Sequence, residues 1–334
     1  MRTGVLVAVS VAVAAVVATV AFVLLGDDGP GPEGAAGDYL AAWSAGDLEA
    51  MAALVDGPPP SFDDAHTAVT QDLRIRAASF ALGQVTTEGD EARAAFTATL
   101  TIAGLGDWSY DSVLPLRLAG DDQGWLVAWS PAVVHPRLAD GLRLGRERNR
   151  PERAPILDRN GEPLAAERPA VTIGVEPQRM NDETEVTAAL VEHLGVDPVA
   201  VERALAAPGV RPDHFVPIVT VHRARYEEVR PAIYPVPGIL FRETEARLAP
   251  SDGFAQHVLG RTGEITAEGL EQLGATYQVG DVVGATGLEA RFERELAGVP
   301  SGRIVLLDTV ADDAVIDVLH EFPGTAGAPV ATTI

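Results

Sequence analysis

The 334 residues of this chain include no cysteine and no lysine, and all 25 basic residues are arginine. Without cysteine there is no disulfide, no thiolate metal ligand, no cysteine nucleophile and no lipidated cysteine of the bacterial lipoprotein kind. Without lysine there is no Schiff-base chemistry, no phosphate-loop lysine and no Ser-x-x-Lys acylation pair. Positive charge is itself scarce, because 48 acidic residues against 25 arginines leave a net charge of −23. A polyanion of that size repels nucleic acid and anionic lipid headgroups, so neither is expected as a charge-recognised partner. The histidines at 66, 135, 193, 214, 222, 257 and 320 form no i,i+4 pair and no His-Glu-x-x-His. No metal site and no cofactor is therefore expected. Hydrophobic residues make up 47% of the chain and charged residues 22%, so its bulk should fold, and its length leaves room for two cores.

One apolar run stands out. From Thr3 to Gly26 there is no charge; Arg2 precedes the run, and Asp27 and Asp28 follow it. As a helix it is long enough to cross a hydrocarbon layer of about 30 Å. The charge asymmetry then places everything after it outside the cytoplasm. Residues 1–26 read as a retained signal anchor in the cell membrane, with the bilayer as partner; a cleaved signal peptide is the competing reading. The Gly/Pro/acid-rich stretch 27–34 reads as a linker.

Residues 35–140 read as an α+β unit with helices first and strands after. Tyr39, Leu40, Trp43, Leu48, Met51 and Val55 fall at helical spacing, with Gly46 interrupting, which predicts one bent helix or two short ones. Pro58-Pro59-Pro60 ends them, and Ser61 opens another helix. From Leu73 the period becomes two: Phe96, Ala98, Leu100 and Ile102 alternate with Ala95, Thr97, Thr99 and Thr101. Long strands of this kind predict a curved sheet wrapped on the helices. The arginine-rich stretch Arg143–Arg153 follows and is expected to be a solvated linker that touches an acidic neighbour.

Residues 153–165, Arg-Ala-Pro-Ile-Leu-Asp-Arg-Asn-Gly-Glu-Pro-Leu-Ala, read as a hairpin. Ile156-Leu157 forms one arm, Leu164-Ala165 begins the return, and Asn160-Gly161 supplies positive φ at the turn. Helices over 182–194 and 198–205, strands over 215–221 and 236–241, and an acid-capped helix over 266–273 come next. Gly280-Asp281-x-Val283-Gly284-x-x-Gly287-Leu288-Glu289, running on to Gly298, forms a second dense motif. Its glycine spacing misses that of a dinucleotide loop and reads as turns leading into a helix.

The hairpin resembles the R-G-x-I-x-D-R-N-G-x-x-L-A signature opening the non-catalytic dimerisation, or pedestal, domain of class B penicillin-binding proteins, with Ala154 where glycine is usual. The second motif is similar to that family's G-D-x-V-G-x-x-G-L-E-x-x-Y-D run, with Phe292-Glu293 replacing Tyr-Asp. Trp125-x-Val127-x-Trp129 and His135-Pro136-x-Leu138 resemble the end of the NTF2-like domain that precedes the pedestal in one branch of the family. The resemblance implies an NTF2-like cone over 35–140 and an elongated α+β pedestal over 141–328. It makes 329–334 the start of a linker to an absent transpeptidase domain, and the hairpin the hinge between cone and pedestal. In the full protein it implies a serine-type peptidoglycan D,D-transpeptidase that binds penicillin. This chain has no Ser-x-x-Lys, so no catalytic residue is assigned in it, and Arg261-Thr262-Gly263 only imitates a catalytic motif. Arg153, Asp158, Arg159, Asn160, Gly161, Gly284, Gly287, Glu289 and Gly298 are expected to be structural. The implied partners are the chain's own transpeptidase domain and other cell-wall synthesis proteins. Two other readings stay open. One is a free-standing binding or regulatory module. The other is a small-molecule enzyme of the NTF2-like unit, in which Asp107, Tyr110 and Asp111 beside Trp108 would reach an enclosed polar pocket.

Overall fold

The computed structural model describes residues 31–120, 124–251 and 253–334. The anchor assigned to 1–26 lies outside the described residues, as do residues 27–30 of the 27–34 linker; the rest of that stretch is not linker, because Pro32–Gly34 form the first turn of a helix. Among the described residues no helix is long and apolar enough to cross a membrane.

The N-terminal half is built as its pattern demands. Helix α1 (Pro32–Ala45) has proline in its first turn and stops at Gly46, which is left-handed at φ +69°. That glycine divides the apolar stretch into two helices, because a left-handed C-cap closes the first. Helix α2 (Leu48–Ala53) restarts with the Asp47 carboxylate accepting the Ala50 N–H, and α3 (Phe62–Leu73) follows. Strands β1 (Ile75–Glu88), β2 (Glu91–Ile102), β3 (Gly106–Leu118) and β4 (Trp125–Val127) then form an antiparallel sheet in chain order. Along β2 the even-numbered residues from Ala92 to Ile102 are buried and the odd-numbered ones face outward. The sheet encloses an aromatic core in which Trp43 stacks on Phe80 at 4.2 Å between ring centroids.

The C-terminal half is an α+β assembly. The Arg143–Arg153 stretch is not the solvated linker expected of it: it supplies β5 (Leu142–Asn149). Strand β6 (Ile156–Leu157) and β7 (Pro163–Val175) form the hairpin. Strands β8 (Val216–His222) and β9 (Ile239–Leu248) both pair antiparallel with β7. The helices over Glu183–Leu194, Pro198–Leu205 and Arg223–Ile233 share one core with the sheet, through Val186, Leu190, Val201, Val229 and Ile233 against Ile173 and Val175. Short strands β10 (Thr262–Glu264) and β11 (Val282–Gly284) make a two-stranded ribbon. Strand β12 (Ser301–Asp308) lies between β5 and β13 (Ala314–Phe322) in a three-stranded sheet. Residues 329–334 are not a free linker either, since β14 (Val330–Ala331) runs parallel to β6 and extends the hairpin sheet.

The two halves share a core. Leu73, Ile102, Trp108 and Val134 of the first pack with Leu144, Ile304, Leu306 and Phe322 of the second. Arg146 and Arg148 donate across the seam to the carbonyls of Ala103 and Gly104, at 2.6 and 2.7 Å. Burying apolar side chains from both sides fuses the halves, at about 25 cal/mol for each Å² removed from water. The hairpin is therefore not the hinge between them. It packs elsewhere, through Ile156, Leu164 and Ala165 against Leu259 and Leu296.

Candidate functional site: a buried arginine–glutamate knot

Four charged side chains from distant parts of the chain meet inside the C-terminal half. Arg153 arrives just ahead of the hairpin. Arg247 arrives from the end of β9, and Glu289 and Glu293 from two short helices after β11, Gly287–Arg291 and Glu293–Ala297. Arg153 Nε donates to Glu289 Oε2 at 2.8 Å, and Arg153 Nη1 to Glu293 Oε2 at 2.6 Å. Arg247 Nε donates to Glu289 Oε1 at 2.6 Å, and its remaining nitrogens reach the carbonyls of Arg153 and Ala154. Glu293 also accepts from the Tyr277 hydroxyl at 3.1 Å and from the Gly284 N–H at 2.7 Å. Glu289 is 2% exposed and the Arg247 side chain 5%.

All four carboxylate oxygens thus have donors, and two guanidinium charges balance two carboxylates. Isolated charges at this depth would cost several kcal/mol each, so the members depend on one another. Tyr277 is pushed up to about 12, chiefly by burial and next by the Glu293 carboxylate, which keeps it a proton donor. Nothing in the knot is left to act as a general base or nucleophile, and its geometry is that of a clamp joining segments 42 to 140 residues apart. A second buried pair lies beside it: Arg148 donates through both Nη atoms to Asp281 at 2.8 Å, and Arg150 approaches the same carboxylate at 3.4 Å.

The motif residues fall into two groups. Arg153 and Glu289 are knot members. Gly284 lies against the knot so closely that an added Cβ would strike the Glu289 carbonyl and, at 2.5 Å, the Ala290 nitrogen; only glycine allows that approach. Gly287 begins the helix carrying Glu289, and Gly298 ends the helix carrying Glu293. Asp158, Arg159, Asn160 and Gly161 instead form the exposed hairpin turn. Asp158 Oδ1 accepts the N–H groups of Asn160 and Glu162 at 2.7 and 2.8 Å. Those bonds, the one from Glu162 foremost, hold its carboxyl below the usual range. Gly161 takes φ +88°, but Asn160 is not among the positive-φ residues. The turn is a five-residue loop closed by Asp158, so the two-residue Asn-Gly turn is corrected. The Arg159 N–H donates to the Ile334 carbonyl at 3.3 Å. Glu293 stood in the second motif as the acid replacing Asp, with no role given to it; Arg247 and Tyr277 were not singled out in sequence, since no local pattern marks a polar residue that is buried only by distant partners. Thr262 and Gly263 of the Arg-Thr-Gly run pair with β11.

Among the described residues neither Asp107 nor Asp111 reaches an enclosed polar pocket. Both lie on the outer face of β3 and accept hydrogen bonds from Thr101 and Thr97 at 2.7 Å. Trp108 is the inward-facing neighbour, and Tyr110 donates its hydroxyl hydrogen to the Val134 carbonyl. Two histidines are buried in this half. His66 Nε2 accepts from Trp129 Nε1 at 3.1 Å, and His135 Nδ1 accepts the Arg137 N–H at 3.2 Å. Burial lowers each to about 4, with Arg137 adding to the shift at His135.

With this geometry in hand, comparison with known proteins is informative. The family model of the penicillin-binding protein dimerisation domain matches residues 148–332, more than half of the chain. The chain belongs to this family. The model of the NTF2-like N-terminal transpeptidase domain matches residues 31–141. Together they make it an N-terminal, non-catalytic region of a class B penicillin-binding protein, with the knot inside its pedestal. Penicillin-binding protein 3 of Bacillus subtilis (strain 168) is 28% identical over 211 residues, covering 63% of this chain and 31% of that protein. A solved complex between penicillin-binding protein PBP2 and MreC from Helicobacter pylori is 17% identical, with a TM-score of 0.32, covering 57% of this chain and 36% of that one. The chain spans about a third of the length of these relatives.

Proposed function

We propose that this chain is the positioning part of a peptidoglycan D,D-transpeptidase that binds penicillin. In this reading residues 1–26 anchor it in the cell membrane, and cone and pedestal stand outside the cytoplasm. A transpeptidase domain beyond the pedestal then works at a fixed height and reach from the bilayer. Tethering of this kind sets the effective concentration of an active site near its substrate. In that further domain a serine would attack the D-Ala-D-Ala end of a stem peptide, and a β-lactam would acylate the same serine. The observation that supports the reading most is the single core joining cone and pedestal, reinforced by the knot: a spacer must be stiff to fix a distance. Other cell-wall synthesis proteins are the partners this reading expects.

Labelling with a fluorescent penicillin is the test. This chain should take no covalent label, and a polypeptide that continues through a transpeptidase domain should take one label per molecule. Hydroxylamine-sensitive labelling of the 334-residue chain would refute the assignment. A stop codon directly after Ile334 in the gene would favour a free-standing module instead.

A further inference from the structure

Ile304 and Leu306 of β12 face the shared core, so Val305 and Leu307 face the other way. On that outer face Val318 opposes Val305, and Val315 opposes Leu307. Leu307 leans over Gly145 of β5, where an added Cβ would meet its side chain. At the edge strand β13 this aliphatic surface becomes open to solvent: Val315 is 47% exposed and Val318 38%, and Ile316, left unpaired at a bulge between Val315 and Asp317, is 52% exposed. Val315 and Val318 on this face, with Ile316 at the bulge between them, leave an aliphatic stretch on the edge strand of the kind that marks a protein contact, since edges left free are normally guarded by charge.

The charges around the patch select its occupant. Arg143 is tied to Asp313 at 2.8 Å and Arg303 to Glu147 at 2.6 Å, so neither guanidinium is available to a newcomer. Arg137 is likewise held by Asp317 of β13 at 2.8 Å, Glu321 lies across from Arg303, which Glu147 already holds, and Asp308 and Asp312 add two more carboxylates, so the acids outnumber the arginines and leave the rim negative. A second copy would bring the same acidic rim, on a chain of net charge −23. An anionic lipid surface or a nucleic acid is repelled for the same reason. We propose that the outer face at β13 is a docking surface for a different polypeptide, presenting an aliphatic segment flanked by basic residues. The inference is independent of the transpeptidase assignment.

The test uses the full chain and two synthetic peptides of one aliphatic sequence, one flanked by arginines and the other by glutamates, read by fluorescence anisotropy. The arginine-flanked peptide should bind, bind more weakly as salt rises, and lose at least ~10-fold in affinity with Val315→Asp/Val318→Asp. Both sites are exposed, so the thermal melt of that variant should match the wild type. If it does not, Asp312→Arg/Glu321→Arg decides the matter, because it should reverse the preference toward the glutamate-flanked peptide. Failure of the arginine-flanked peptide to bind, equal binding of both peptides, or binding indifferent to these variants would overturn the proposal. So would a self-associated dimer that Val315→Asp/Val318→Asp dissociates.

Discussion

Replacing Glu289 by glutamine tests whether the knot holds the pedestal together. The glutamate accepts from two guanidinium groups at once, Arg153 at 2.8 Å and Arg247 at 2.6 Å, and it is 2% exposed. A glutamine is nearly the same shape, but its single oxygen serves only one guanidinium, and its NH2 turns donors toward the other. It also leaves two arginines facing the single charge of Glu293. Breaking a buried ion pair from one side costs about 3–5 kcal/mol. For a domain of roughly 200 residues each kcal/mol lowers Tm by about 2–4 °C, so Glu289→Gln should melt roughly 6–20 °C below the wild type. Glu293→Gln should cost less, about 1–3 kcal/mol, because its oxygen can keep the Gly284 N–H and its NH2 can donate to the Tyr277 oxygen. Arg223→Gln is the control: its partner Glu243 is at 2.8 Å, but both side chains are more than half exposed, and such pairs contribute under about 1 kcal/mol. Urea and thermal unfolding followed by circular dichroism give all three values. A Glu289→Gln chain no less stable than Arg223→Gln would refute the reasoning.

Acid should weaken the cone before it reaches the carboxylates. His66 and His135 titrate near 4 when folded against an ordinary 6.5, so between those values the unfolded chain binds more protons. The stability they contribute is therefore complete above about pH 6.5 and is lost as pH falls toward 4, by about 3 kcal/mol for each histidine in the limit. Unfolding free energies measured from pH 7 to pH 5 should slope accordingly, and His66→Gln should flatten the slope; a pH-independent wild type would contradict the assignment. Gly284→Ala forces a methyl group into the Glu289 carbonyl and should cost about 1–3 kcal/mol, visible as a lower urea midpoint. Gly161→Val places a β-branched residue at φ +88°, where a Cβ costs about 1–2 kcal/mol; a melt equal to that of the wild type would show that the turn adapts.

Periodicity carried the regular elements. The alternation from Ala92 to Ile102 made β2 legible because one face packs on helices and the other meets water, and Gly46 marked where the first helix is interrupted, although one bent helix or two short ones fitted the pattern equally. The family motifs were legible as motifs, yet their division of labour was not. Asp158 works within five residues of itself, so its role is local and readable. Arg153 works through Arg247, Glu289 and Glu293, and nothing near it in the chain names those partners.

The arginine-rich stretch shows why. Charge density alone assigned Arg143–Arg153 to solvent, whereas the fold places β5 beside β12, more than 150 residues later, and supplies Asp281, Glu289 and Glu293 as counter-charges. The same holds for β14, for the core shared by cone and pedestal, and for the outward aspect of Asp107 and Asp111. What the sequence determined by itself is composition, element periodicity, turn chemistry and family, because these depend on neighbours within a few residues or on side-chain type. Tertiary structure alone decided which charges are buried, where the halves join and which edge is left open. Burial and pairing depend on residues brought together across the chain, and their energies exist only once that packing excludes water.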